Sequence, residues 1–155
     1  MNRRLLAVLL LGFALVAGAA SYLFAAPPQA NAPATDSLYK RLGGYDALAA
    51  VTDDFIARLA GDPQLTKFFI GLNDDSKKKV RQHVLDFLCA NTGGPCLYLG
   101  RDMKTAHTGL HITEAEWNLA GNHLVESLDK FKVPDREKNE VLAAITALKP
   151  QIVGQ

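Results

Sequence analysis

The chain runs to 155 residues, enough for one domain with a substantial core and too few for two ordinary ones. Its 17 basic and 16 acidic residues nearly cancel, and with Arg3 and Arg4 set aside the count is 15 against 16. Charges of both signs are mixed, and nothing in that balance calls for nucleic acid as a partner.

The first elements are not part of a folded core. Met1 to Arg4 is a short basic start, and LLAVLLLGFALVAGAASYLFAA is apolar from Leu5 to about Ala26. This is the pattern of an export signal, with small residues for cleavage at Ala17-Gly18-Ala19. At about 20 residues the run is also long enough to stay in the inner membrane as an anchor over residues 5–26. Either outcome puts the rest of the chain in the periplasm. Residues 27–36, beginning PPQANAPAT, lack apolar periodicity and form a Pro/Ala linker, so the domain proper spans 37–155.

Within the domain the periodicity is helical throughout. Ser37 is placed to cap a short helix, LYKRL, that stops at Gly43-Gly44. The next helix carries Ala47, Leu48, Val51, Phe55 and Leu59 at three- and four-residue intervals and ends at Gly61-Asp62-Pro63. QLTKFF is a helical turn delivering Phe68 and Phe69 inward, and Gly71 to Asp75 is a loop. Ser76 then caps a helix opening with Lys77, Lys78 and Lys79, a poor match to its dipole, and Val80, Val84, Phe87 and Leu88 form its apolar stripe with His83 on the edge. Gly93-Gly94-Pro95 breaks it. Thr113 and Glu116 make a capping box for a helix whose inward face is Trp117, Ala120, Leu124, Leu128 and Phe131. A last helix follows Pro134, with Val141, Leu142, Ile145, Leu148 and Ile152 inward. No stretch shows the alternation of a strand. The fold is all-α, about six helical segments with a Gly-rich break in the middle.

The chemistry concentrates between Gly93 and Thr113. His107 lies among apolar residues, with basic residues just upstream, the setting of a ligand to a buried metal whose cofactor carries negative groups. His107 and His111 could share zinc only on a continuous helix, and Gly109 stands between them with no HExxH in the chain. Cys89 and Cys96, in an exported protein, are expected to join a helix end to the loop after it. Their spacing is neither CxxC nor CxxCH, which argues against a thioredoxin site and c-type haem attachment.

Four stretches together, LYKRLGGYDALAAVTDDF, DPQLTKFF, GGPCLYLGRDMKTAH and the helix ending HLVESL, resemble the group I truncated haemoglobins, small globins that fold as a two-over-two helical sandwich around b-type haem. The resemblance covers Ser37 to Val153 and includes both Gly-Gly breaks. It implies that His107 is the proximal ligand to haem iron and that Phe69 wedges against the porphyrin. It also implies that Met103 lines the proximal side, while Tyr98, Arg101 and Lys104 lie near the haem propionates. The departures fall on the distal side. Ile56 stands where many members have tyrosine, and Val80 and Val84 occupy distal-helix positions where polar groups are common. His83, between those valines, sits where some relatives use histidine as a sixth iron ligand. The resemblance therefore implies reversible binding of dioxygen, nitric oxide or carbon monoxide. The alternatives are a bis-histidine haem protein passing electrons from a donor protein, or a nitric oxide dioxygenase or peroxidase-like enzyme. A cofactor-free helical interaction module is the reading from outside haem chemistry.

Overall fold

The computed structural model describes residues 36–155, so the expected signal or anchor segment 1–26 and the expected linker up to Thr35 lie outside the described residues. Six α-helices follow in order: α1 Leu38–Arg41, α2 Gly44–Gly61, α3 Asp74–Asn91, α4 Met103–His107, α5 Glu114–Lys130 and α6 Asp135–Thr146. Two 3-10 turns, Thr66–Phe69 and Lys149–Gln151, complete the set, and no strand occurs among the described residues. The all-α expectation holds.

Helix α2 is the centre of the packing. Gly43 and Gly44, both left-handed (φ 96° and 79°), turn the chain sharply out of α1 and start it. One face of α2 gives Val51 to a cluster with Leu124 and Leu128 of α5 and Val141 of α6. The next face gives Leu48 to a cluster with Leu85 and Cys89 of α3. Leu42 of the α1–α2 turn packs against both clusters, so the pair α2–α3 and the pair α5–α6 meet across α2.

Helix α3 carries two apolar stripes. Leu85, Leu88 and Cys89 are buried against the core, whereas Val80, Val84 and Phe87 are only half-buried. The sequence reading merged Leu88 with the second set. Residues 80, 84 and 87 share one side of a helix by their spacing, and residues 85, 88 and 89 share the adjacent one.

Three local expectations are corrected. Helix α3 starts at Asp74, not after Ser76, because Asn73 is the cap: its side chain accepts from the Ser76 N–H at 2.8 Å. Asp74 and Asp75 then occupy the first turn, where they suit the dipole and stand 3.9 and 3.8 Å from Lys77 and Lys78. Phe131 is 41% exposed rather than inward, since α5 ends at Lys130 and left-handed Lys132 (φ 55°) swings the chain away. The last helix stops at Thr146, and a 3-10 turn containing Pro150 brings Ile152 to the core.

Polar ties run between the same elements. Asp54 of α2 accepts from Arg58 at 2.7 Å, from Ser127 of α5 at 2.9 Å, and from Lys130. His123 stands 2.9 Å from Asp62 and so links α5 to the end of α2. The expected disulfide is present, joining Cys89 to Cys96. It is packed tightly, because a Cβ on Gly94 would come within 2.5 Å of the Tyr39 ring and 2.7 Å of Cys89 Sγ.

Two outcomes follow for stability. Replacing both cysteines with alanine should cost about 2–3 kcal/mol, the loop-closure value for so short a ring, seen as a lower urea midpoint at unchanged slope. Arg58, then Lys130, hold the Asp54 carboxyl well below its usual range, and Lys67 with the Thr113 cap holds Glu116 at about 2 instead of 4.5. The unfolded chain takes up these protons first, so the stabilisation is complete above the ordinary carboxylate range and is lost progressively as pH falls from that range toward the lowered native values. Melting temperatures should be level from neutral pH down to about 5 and drop below about 4, and Glu116→Gln should melt lower at neutral pH yet fall less steeply in acid.

Candidate functional site

Helix α4 has five residues, too few to persist alone, and its neighbours fix it at both ends. Asp102 caps it, accepting from the Thr105 N–H at 2.9 Å and the Thr105 hydroxyl at 2.7 Å. At the other end the Thr108 amide and hydroxyl donate to the Lys104 carbonyl at 2.9 and 2.8 Å. Gly109 and His111, both left-handed (φ 83° and 49°), then take the chain off the helix, so His107 and His111 share no helical face. Among the described residues no group of three or more His, Cys, Asp and Glu could hold a metal.

Beyond that turn the His111 N–H donates to the Gln155 carbonyl, and the Gly154 N–H to the Ile112 carbonyl, each at 2.9 Å. The 3-10 turn Lys149–Gln151 packs against α4 itself. The C-terminal segment is therefore the surface on which α4 rests, a role nothing in the local sequence announced.

The His107 ring is half-buried, with Nδ1 2.7 Å from the Met103 carbonyl oxygen. A carbonyl only accepts, so Nδ1 carries the proton and donates, and the neutral ring keeps its Nε2 lone pair free. Metal-binding histidines are commonly oriented in this way, by a hydrogen bond from the nitrogen away from the metal.

The other candidates are arranged around three elements. Val80, His83 and Val84 lie on α3, Ile56 on α2, and Phe69 at the end of the 3-10 turn that follows α2. Ile56, Phe69, Val80, Val84, Met103 and Tyr98 are all half-buried, while His83, Arg101 and Lys104 are exposed. None of the apolar candidates belongs to the two core clusters' buried sets. Neither Arg101 nor Lys104 makes an ion pair among the described residues.

Tyr98 joins the two sides. Its ring stands edge-on to Phe87 at 5.2 Å and to His83 at 6.2 Å, and its hydroxyl donates to the Arg101 carbonyl at 2.6 Å. Burial, and behind it the Asp102 carboxylate, pushes the phenol up, so it stays a donor. That hydrogen is committed to the backbone, a use the sequence did not reveal. By type the residues suit a flat apolar cofactor with a metal and an anionic edge: an imidazole with one nitrogen free, half-buried apolar side chains, and cations that make no ion pair among the described residues.

Comparison with known proteins agrees. Residues 37–153 match the family model of bacterial-like globins. A group 1 truncated haemoglobin from Mycolicibacterium paratuberculosis is 37% identical over 116 residues, covering 75% of this chain and 83% of that protein. The chain belongs to the group 1 truncated haemoglobins. The one from the cyanobacterium Nostoc commune is 29% identical over 119 residues, 77% of this chain and 98% of that protein. Among solved structures, the ferric truncated haemoglobin of Tetrahymena pyriformis superposes with a TM-score of 0.70 at 27% identity, over 77% of this chain and all of that one. The two-over-two sandwich is thus the fold, and this truncated haemoglobin is a haem-binding globin.

Deleting Gly154 and Gln155 removes both backbone bonds to residues 111 and 112. Haemin transfer to an excess of acceptor apo-globin should then run roughly five times faster, the effect of about one net hydrogen bond lost behind α4.

Proposed function

We propose that this globin holds haem b through His107 Nε2 and binds dioxygen, nitric oxide or carbon monoxide reversibly on the opposite side. The observation that carries this reading is the His107–Met103 hydrogen bond, which leaves one ring nitrogen free and aimed by the helix that bears it. The haem, when bound, supplies an iron centre that takes up diatomic ligands. Phe69 and Met103 give it apolar contact. Arg101 and Lys104 neutralise its propionates, and Tyr98, its hydroxyl already engaged, serves that edge by packing.

Ile56, Val80 and Val84 form the distal wall and offer no hydrogen-bond donor. A diatomic ligand that gains by polarisation is therefore held weakly and leaves fast. Nitric oxide dioxygenase and peroxidase chemistry both need a polar group poised on that side, so the wall argues for ligand binding over catalysis. The second reading is a bis-histidine protein passing electrons from a donor protein, and His83 supports it by standing beside Val80 and Val84 on α3. The basic start and apolar run of the N-terminal sequence support a periplasmic location for either activity, with residues 5–26 cleaved or retained as an anchor.

Absorption spectra of the ferric, ferrous and carbonmonoxy forms test the proposal. The protein should take up haemin and give a Soret band that His107→Ala abolishes or shifts. Ile56→Tyr should slow dioxygen dissociation about fivefold or more by adding one hydrogen bond. A protein that stays colourless with haemin supplied would end the proposal.

A further inference from the structure

Tyr98 is fixed from four directions although it lies in a loop. Two residues before it, Cys96 is bonded to Cys89 at the end of α3. Its hydroxyl is bonded to the Arg101 carbonyl, and its ring leans on Phe87. The ring also covers Gly100 so closely that a Cβ there would lie 2.3–2.5 Å from the phenol carbons and oxygen.

His83 is in the opposite condition. It is exposed, makes no hydrogen bond or ion pair among the described residues, and has the Tyr98 ring as its one aromatic contact. On α3 it lies about 60° around the helix from Val80, at the edge of the stripe that includes Val84 and Phe87. A rotamer change would carry its imidazole toward that stripe, and a neutral imidazole is a good iron ligand.

We propose that Tyr98 is a positioning residue for His83: the locked phenol ring keeps the imidazole at the rim and so leaves the sixth iron position to external ligands. The inference rests on the haem reading above. It turns the choice between gas binding and bis-histidine coordination into a question about one edge-on contact and the loop that holds it. The disulfide and Gly100 act through Tyr98, the one by tethering the loop and the other by leaving room for the ring.

The test uses the full-length chain loaded with haemin and reduced. The parent should show a single broad visible band. Tyr98→Leu should show the sharp split bands of a six-coordinate iron and bind carbon monoxide about fivefold more slowly, the factor expected from one aromatic pair. Gly100→Ala, which displaces the ring while keeping the tyrosine, should move the spectrum the same way and stands in if Tyr98→Leu does not fold. Tyr98→Leu combined with His83→Ala should return to the broad band, which general loosening of the loop would not do. The proposal is overturned if the variants keep the parent spectrum, if the split bands persist without His83, or if the parent is already six-coordinate through His83. Failure of the parent to take up haemin would instead remove the haem reading, and this one with it.

Discussion

The hydrogen bond between the His107 ring and the Met103 carbonyl is the interaction on which the rest of the site depends. It fixes the tautomer, and with it which nitrogen is free. It also fixes the ring's direction relative to an α4 that could not hold a helix by itself. Each support around α4 acts on that one bond: the Asp102 cap at its start, the Thr108 closure at its end, and the C-terminal turn packed against it. A small domain can orient a side chain from a five-residue helix because the orientation comes from neighbours rather than from helical propensity.

The second constraint is how a short chain divides its apolar surface. Among the described residues ten hydrophobic ones are buried, a modest core for a domain of this size, and three of them lie on α3. The adjacent α3 stripe, with Ile56, Phe69 and Met103, is left half-covered by protein. A globin of this length gives part of its interior to the cofactor, so haem binding and folding stability are linked: a ligand that binds only the folded form stabilises it by mass action. The polar ties from Asp54 to Ser127 and Lys130 hold α2 and α5 together without drawing on that stripe.

The helices were legible because each carries a clear apolar period and most carry a cap. Thr113 with Glu116 formed the expected capping box, and Gly43-Gly44 and Gly93-Gly94-Pro95 broke the chain where expected. The start of α3 was misread because Asn73 and Ser76 are both good caps, and only the position of Asp74 and Asp75 relative to the dipole decides between them. Phe131 was misread because periodicity cannot see the left-handed residue that ends α5. The elements that carry the candidate site residues were legible. The bonds that orient them were not, since the Tyr98 hydroxyl, the Gln155 carbonyl and the Met103 carbonyl are brought into place by tertiary structure.

On the proposed haem reading, a distal wall of Ile56, Val80 and Val84 would offer a bound diatomic no hydrogen-bond donor. Discrimination among diatomics would then come from the proximal bond and from access, because apolar contact barely separates molecules of such similar size. On that reading the proximal bond would be set by α4 and the C-terminal turn. Access would be set where His83, Phe87 and Tyr98 meet and where the Cys89–Cys96 bond anchors the loop. The unusual investment in holding Tyr98 still, in a loop that otherwise exposes Leu97 and Leu99 on either side of it, is what that argument would require. In a globin that had a tyrosine or glutamine over the ligand, the same loop could have been loose at little cost.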